Sequence, residues 1–172
     1  MSELINLLIV EDSEQDAILL THGLRKAGFE LNVERVQSAQ EMQAALAAKD
    51  WDAVISDYNL PAFSAPKALE ILKQSNKDLP FIIVSGTIGE ETAVEIMRSG
   101  AHDYLMKGNL NRLAEVLRRE ISDARGRLES RRAEIALKES EEQLRLLFER
   151  SSDAIFIIEE STGRYLNANK AA

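Results

Sequence analysis

Residues 53–63 read AVISDYNLPAF, a short apolar run that ends in the carboxylate of Asp57. A run of this kind, bounded by turn-forming residues, is typical of a strand that is buried on both faces of a parallel sheet. Pro61 follows closely and favours a turn. The stretch alone leaves two explanations for Asp57: it is a turn-forming residue, or it is a group with a chemical task.

The composition is that of a globular protein, with 45% hydrophobic and 29% charged residues among 172. This length suffices for one ordinary domain and a smaller segment. Cysteine is absent, which excludes disulfides and thiolate metal sites. The N-terminal apolar run is too short for a signal peptide or a membrane span. We therefore expect a cytoplasmic protein without a membrane partner.

The net charge of −8 arises in the first part of the chain. Residues 1–107 contain 17 acidic and 9 basic residues, whereas residues 108–172 contain 12 of each. An acidic region without a basic stripe is poorly suited to a polyanionic backbone. The sequence therefore predicts no nucleic-acid binding through this region and favours a bound cation.

The first 107 residues alternate between β-branched apolar runs and longer segments with helical spacing. Ser13 with Asp16, and Ser38 with Glu41, have the spacing of capping boxes that open helices, and Gly28 closes the first helix. Five such repeats predict a doubly wound α/β domain with a parallel sheet covered on both faces. The predicted strands are 4–10, 31–36, 53–56, 81–85 and 103–106, and the predicted helices are 13–27, 38–49, 66–74 and 90–99.

Residues 109–150 are rich in Leu, Glu, Arg and Ala, and their apolar positions recur every three or four residues. Gly126 weakens the middle of this pattern, and Arg131 and Lys138 fall on its apolar seam. Two interpretations stay open: a continuous or nearly continuous helix that pairs as a dimeric coiled coil, or two helices with a break near Gly126. Residues 154–158 and 164–167 then predict a hairpin, which is marginal by itself.

Polar residues end or follow four of the five predicted strands. Ligands of open α/β sheets bind beyond the carboxyl ends of the strands, and strands one, three, four and five are neighbours in the flavodoxin-like order 2-1-3-4-5. We therefore expect these side chains to meet at one edge of the sheet. They are Glu11 and Asp12 after the first strand, Asp57 after the third, Ser85 at the end of the fourth and Lys107 after the fifth.

Three carboxylates in one crevice repel one another, and a hard divalent cation relieves this. All-oxygen ligands suit Mg²⁺ better than Zn²⁺, which prefers His or Cys. A carboxylate beside Mg²⁺ can accept a phosphoryl group, whose oxygens an ammonium and a hydroxyl can stabilise. Taken singly, each residue is better explained as a helix cap, a turn residue or a solvated strand end; their joint placement reverses this preference and favours the chemical interpretation.

With these intervals the sequence resembles the receiver domain of bacterial response regulators over roughly residues 4–122. The resemblance implies that Asp57 is the phosphoacceptor and that a histidine kinase or histidine phosphotransfer protein is the donor. The roles that it further implies are Mg²⁺ binding by Glu11, Asp12, Asp57 and the backbone carbonyl of Asn59, phosphoryl stabilisation by Ser85 and Lys107, and a switch formed by Ser85 and Tyr104.

The sequence departs from this family at two turns. Gly108 follows the lysine where the family usually has proline, often with a cis bond, and Ala65 followed by Pro66 stands where glycine is common. We expect these turns to be built differently. His22 and His102 have no second His or Cys near them in sequence, so we expect structural or surface roles rather than ligation or phosphotransfer.

Residues 137–172 resemble the opening helix and first two strands of a PAS sensor domain, and an arbitrary helix-hairpin tail is the alternative. The sequence thus predicts a receiver domain at 1–122, a helical connector at 123–150 and the first part of a PAS domain at 151–172. We expect a homodimer in which the receiver signals through the connector to a PAS or output module.

For this region we expect no enzyme activity beyond self-catalysed phosphorylation and dephosphorylation of the receiver, while a kinase or cyclase output in the full-length protein stays open. Two other functions stay open. The first is a phosphohydrolase with an aspartyl-phosphate intermediate, which would need an acidic residue at the position of Asn59. The second is a receiver that dimerises or binds proteins without being phosphorylated.

Overall fold

The structure is a computed structural model and describes residues 4–61, 63–86 and 90–172. Strands and helices alternate through its first part, and a long helix and a hairpin follow. The elements are β1 (Leu4–Val10), α1 (Glu14–Lys26), β2 (Glu30–Val36), α2 (Ala39–Ala48), β3 (Ala53–Asp57), α3 (Ala65–Gln74), β4 (Phe81–Ser85), α4 (Glu90–Arg98), β5 (Asp103–Met106), α5 (Leu110–Arg150), β6 (Phe156–Ile158) and β7 (Tyr165–Ala168).

Strands β1 to β5 form one sheet in the order β2-β1-β3-β4-β5, and every neighbouring pair is parallel. This confirms the predicted doubly wound α/β fold and its strand order. In the register, Val10 lies opposite Ser56, so the next residues along each strand, Glu11 and Asp57, reach the same edge. The sheet therefore fixes the two carboxylates side by side.

The sheet is buried on both faces because its strand side chains alternate between two cores. Leu8 and Val54 pack with α2, α3 and α4, whereas Leu7 and Ile55 pack with α1 and the first part of α5. The helices contribute Met42, Leu46, Leu69, Leu72 and Ile96 to the first core and Leu20, Leu24, Leu113, Leu117 and Ile121 to the second.

The start of α1 differs from the predicted capping box. Ser13 caps the helix, since its Oγ accepts the backbone N–H of Asp16 at 3.2 Å. The Ser13 N–H, however, donates to Glu11 Oε1 at 3.1 Å, and the Asp16 carboxylate contacts Lys107. The box is only half formed because a charged partner from another element attracts the Asp16 side chain.

The second predicted capping box is also formed only in part. Ser38 Oγ accepts the Glu41 N–H at 3.3 Å, but the Glu41 carboxylate accepts the N–H of Gln37 at 2.8 Å rather than that of Ser38. Gly28 and Gly100 lie just beyond α1 and α4 with φ of 94° and 97°. Glycine is favoured at such positions because a side chain strains a backbone with positive φ.

Most predicted bounds differ from the observed ones by one or two residues, and three differences have a structural reason. β3 extends to Asp57, which pairs with Val84 and so stays in the ladder. α3 begins at Ala65, because the following Pro66 is tolerated in the first helical turn. α5 runs unbroken through Gly126, so the prediction of two helices with a break there is wrong; an interior glycine costs only about 1 kcal/mol relative to alanine.

The chain divides into two compact units, Met1–Gly126 and Arg127–Ala172. The predicted domain limits at residues 122 and 150 stay predictions. Among the described residues, no helix combines the length and apolar character that a membrane span requires.

The second unit contains the hairpin of β6 and β7, which is antiparallel. The rings of Phe156 and Tyr165 meet edge to face at 5.6 Å. Asn169 is buried, and its Nδ2 donates to the carbonyls of Phe148 at 3.0 Å and Asp153 at 2.9 Å. This single side chain therefore ties the last turn of α5 to the hairpin.

Two leucines of α1 test the assignment of its buried face. Leu24 is fully buried and Leu19 is 60% exposed. We expect Leu24→Ala to lower the free energy of unfolding by about 2–5 kcal/mol, because it removes buried methyl groups and leaves a cavity. The matched Leu19→Ala is expected to change it by no more than about 0.5 kcal/mol. Urea unfolding followed by circular dichroism checks both, and similar losses would contradict the assignment.

Candidate functional site

The carboxyl edge of the sheet gathers the ionisable residues predicted from the strand ends. Glu11 follows β1, Asp57 ends β3 and Lys107 follows β5. The Lys107 ammonium lies 2.9 Å from Glu11 Oε2 and 3.0 Å from Asp57 Oδ2. The prediction that these groups meet is confirmed by these distances.

Lys107 also donates to the carboxylate of Asp16 on α1. Burial by itself lowers the pKa of the Lys107 ammonium, but its hydrogen bonds to three carboxylates outweigh this effect and raise the pKa above its ordinary value. Lys107 therefore stays protonated and acts as a fixed positive charge.

Glu11 is the most deeply buried acid of the cluster, with 1% of its surface exposed. Burial raises its pKa; the bonds from Lys107 and from the Ser13 N–H oppose this, while the charge of Asp57 adds to the increase. Arg35 holds the adjoining loop, because its Nη1 donates to the carbonyls of Glu11 at 2.9 Å and Asp12 at 3.2 Å. Arg35, a residue of β2, thus holds the loop that carries Glu11 and Asp12 in place.

Glu11, Asp12 and Asp57 each bring a carboxylate oxygen to within 4.8 Å of the others. This is the group that the sequence predicted for a metal. The donors are all hard oxygens, two of the three acids are largely shielded from water, and one ammonium does not neutralise them. The residues present therefore fit a hard divalent cation such as Mg²⁺.

Ser85 ends β4 and is fully buried, and its Oγ has no hydrogen-bond partner among the described residues. A buried hydroxyl without a partner costs about 1–3 kcal/mol, so most such groups in proteins are satisfied. The hydroxyl lies on the strand next to the one that ends in Asp57. An acceptor oxygen brought next to this hydroxyl would satisfy it.

Asn59 and Tyr104, the two other predicted residues, lie near this edge but make fewer contacts with the acidic cluster. Asn59 is exposed, and its backbone N–H donates to Asp57 Oδ1 at 3.4 Å. Its carbonyl as a metal ligand stays a prediction. Tyr104 on β5 packs against the first core, its hydroxyl donates to Met106 Sδ at 3.2 Å, and burial raises its pKa.

The two histidines lie outside this cluster, as the sequence suggested. His22 is an exposed residue of α1. His102 Nδ1 accepts the backbone N–H of Phe81 at 3.1 Å, and the backbone N–H of His102 donates to the Phe81 carbonyl at 2.9 Å. His102 therefore joins β4 to the start of β5.

Sequence reasoning missed Asp16 and Arg35. Asp16 was assigned to a capping box, and its spacing from Ser13 gave no sign of a contact with a residue 91 positions away. Arg35 lies on β2, where the apolar residues predict a strand but no role at the site. The sequence signal for Arg35 was a basic residue near the end of β2, the strand expected to lie beside the acidic end of β1.

Comparison with known proteins agrees with this geometry. A profile of the response regulator receiver domain family matches residues 7–118. Transcriptional regulatory protein ZraR of Salmonella typhimurium is 30% identical over 122 residues, which are 70% of this chain and 27% of that protein. C4-dicarboxylate transport transcriptional regulatory protein DctD of Pseudomonas aeruginosa is 32% identical over 137 residues, or 78% of this chain and 29% of that protein. The chain thus spans less than a third of these curated relatives.

Among solved structures, the signal receiver domain of a signal transduction histidine kinase from Syntrophus aciditrophicus has a TM-score of 0.60 and 27% identity. The match covers 69% of this chain and 91% of that domain. The fold and the acidic edge of the sheet therefore define a receiver domain. The chain belongs to the response regulator receiver domain family of two-component systems.

Replacing Lys107 tests the electrostatics of this edge, because its ammonium is the cation that contacts the carboxylates. In EDTA, we expect Lys107→Met to lower the free energy of unfolding by about 1–3 kcal/mol, because it leaves several carboxylates without a hydrogen-bond donor and counter-charge. Added Mg²⁺ is expected to stabilise the variant more than the wild type, since both cations compensate the same carboxylates. Urea unfolding with and without Mg²⁺ measures both effects.

Lys67→Met is the matched control, because Lys67 pairs with Glu70 on the exposed face of α3, away from the acidic cluster. Its free energy of unfolding is expected to change by about 0.5 kcal/mol or less, with no added dependence on Mg²⁺. Equal Mg²⁺ effects on all three proteins would contradict the assignment.

Proposed function

We propose that the chain is the phosphoacceptor module of a two-component phosphorelay and that Asp57 accepts the phosphoryl group. The observation that carries the proposal is the placement of Asp57 at a strand end, 3.0 Å from the Lys107 ammonium and within an acidic group fit for a cation. Histidine kinases phosphorylate receiver domains, so the donor is a histidine kinase or a histidine phosphotransfer protein.

In the reaction, an Asp57 oxygen forms a bond to phosphorus while the bond from phosphorus to the donor histidine nitrogen breaks. The electron pair of that bond stays on the imidazole. Lys107 neutralises charge on the transferred group, and the unpartnered Ser85 hydroxyl donates a hydrogen bond to one of its oxygens. When bound by Glu11, Asp12 and Asp57, with the carbonyl of Asn59, Mg²⁺ supplies further positive charge against the phosphoryl oxygens.

Phosphorylation then acts on the Ser85 and Tyr104 pair as a switch. Once Ser85 turns towards the phosphoryl group, the space around it changes, and Tyr104 on the neighbouring strand β5 responds by repacking. The change reaches α5, whose first part packs on the same sheet. We infer that residues 123–150 form a dimeric connector that passes this signal on.

The sequence pattern of residues 151–172 supports their assignment as the first part of a PAS domain. The hairpin exposes apolar side chains on both faces, as expected of strands that belong to a larger sheet. The PAS or output module is the recipient of the signal in this proposal. No nucleic acid is expected to bind residues 1–172, since their net charge is −8.

A phosphohydrolase with an aspartyl-phosphate intermediate is less well supported. Such an enzyme needs an acid two positions after the nucleophile, and Asn59 at that position cannot donate a proton in this way. We therefore infer that the module is not an enzyme acting on separate substrates. It undergoes self-catalysed phosphorylation and dephosphorylation only.

Phosphorylation can be measured directly by intact mass spectrometry. With Mg²⁺ and acetyl phosphate, we expect a mass increase of one phosphoryl group, no increase in EDTA, and none in Asp57→Asn, which lacks the nucleophile. Asp50→Asn is the control, because Asp50 lies at the opposite edge of the sheet, next to the start of β3. A mass increase retained in Asp57→Asn, or none in the wild type, would contradict the proposal.

The connector proposal predicts a dimer held by apolar residues of α5. Leu137 and Leu144 are one heptad apart and are 61% and 64% exposed. We expect the double change Leu137→Glu with Leu144→Glu to convert the wild-type dimer into a monomer, because it buries charges in the helix interface. Light scattering after size exclusion measures the mass.

Arg145→Glu, at an exposed position beside this stripe, is the control and is expected to remain dimeric. A wild-type protein that is monomeric at every concentration tested overturns the connector as a dimerisation element. A double variant that stays dimeric places the interface elsewhere.

A further inference from the structure

The Lys107 ammonium has no donor left for a ligand. An ammonium carries three N–H groups, and each has a carboxylate acceptor, on Glu11, Asp16 and Asp57. A phosphoryl group that approaches Asp57 therefore meets a cation whose hydrogen bonds are already made. One of those bonds must be exchanged before Lys107 can donate to a phosphoryl oxygen.

The three acceptors differ in how readily they can give up their bond. The Glu11 carboxylate is 1% exposed, and its other oxygen accepts the Ser13 N–H, so both of its oxygens are engaged. The Asp57 side chain is 10% exposed and is itself the reacting group. The Asp16 side chain is 36% exposed and lies on a helix, so water can replace Lys107 as its partner.

Asp16, at the rim of the site, therefore restrains an ammonium that also stays within hydrogen-bond distance of Glu11 and Asp57. It also lowers the positive charge that is left for an incoming anion, because a third carboxylate shares it. No other described residue of α1 contacts Lys107 with a charged group.

We propose that Asp16 is a positioning residue that restrains Lys107 and thereby slows phosphoryl transfer to Asp57. The inference rests on the proposed function, since it needs Asp57 to be the acceptor. Removing the Asp16 charge weakens this hydrogen bond, so that one N–H of Lys107 can be exchanged more readily to the phosphoryl group, which stabilises the transition state of transfer.

With acetyl phosphate as the donor, an Asp57 oxygen forms a bond to phosphorus. The bond from phosphorus to the bridging oxygen breaks, and acetate leaves with the electron pair. No proton moves in this step. Lys107 remains an ammonium throughout and changes only its acceptors.

The test compares second-order rate constants for phosphorylation of the full 172-residue chain by acetyl phosphate at saturating Mg²⁺, followed by intact mass. We expect Asp16→Asn to be faster than the wild type by roughly three- to tenfold, as when part of one charge-assisted hydrogen bond is redirected. Asp16→Ala, which removes the acceptor as well, is expected to be accelerated similarly. A merely structural role for Asp16 predicts slower reaction instead.

Glu14→Gln is the matched control. Glu14 carries the same charge in the same first turn of α1 but is exposed, and it makes none of the contacts with Lys107. Its rate is expected to stay within about twofold of the wild type, since surface charges act weakly at a distance. Repeating the series at 1 M KCl, where the Debye length is about 3 Å, separates contact from long-range repulsion of the donor.

An acceleration in Asp16→Asn that persists at high salt supports the proposal. Rates equal to or below the wild type, or an acceleration that falls to the level of Glu14→Gln at high salt, overturn it and leave the proposed function intact. A wild-type protein that acquires no phosphoryl group overturns the proposed function and this inference together.

Discussion

Parallel pairing of five strands is the constraint on which the site depends. Because all strands of β1 to β5 run in one direction, each delivers the residue at or beyond its end to the same edge of the sheet. Glu11 and Asp57 thus reach the Lys107 ammonium at 2.9 and 3.0 Å, although they are 96 and 50 positions from it in sequence. In an antiparallel sheet, neighbouring strands would end at opposite edges. The chemistry is therefore a consequence of topology, and the buried strands hold it rigid.

Two features of this edge lack a partner in the described part of the chain, and they require ligands of opposite charge. Acidic charge exceeds basic charge, because Lys107 faces three carboxylates while Asp12 adds another close by. Ser85 meanwhile keeps a buried hydroxyl without an acceptor among the described residues. A divalent cation relieves the first, and an anionic oxygen satisfies the second. A phosphoryl group bound together with a divalent cation meets both needs, whereas a cation alone leaves the hydroxyl unsatisfied.

The strand pattern and the residues at the strand ends could be predicted from sequence because both depend on local composition and on a general rule of sheet topology. The bounds of β1, β4 and β5 agree with the prediction, since each is a short run bounded by polar or turn-forming residues. The contact of Asp16 with Lys107 could not be predicted, because a helix residue with a local capping role available was attracted by a charge from a distant element. The loop contacts of Arg35 depend likewise on which strand lies beside β1. The sequence thus indicates which side chains lie close together, whereas their hydrogen-bond partners depend on contacts between elements that are distant in sequence.

The long helix α5 has leucines that are buried against the sheet in its first part and leucines that are exposed in its second. Leu113 and Leu117 are buried against the sheet, whereas Leu137, Leu144 and Leu147 of the same helix are more than 60% exposed. A single exposed leucine needs no explanation, but several at heptad-like spacing match the seam that a partner helix covers. Gly126 stands between the two stretches and does not interrupt the helix, because its intrinsic cost of about 1 kcal/mol is small beside the backbone bonds that continue across it. The sheet determines which side of α5 is buried in its first part, and the leucine spacing determines which side is apolar in its second.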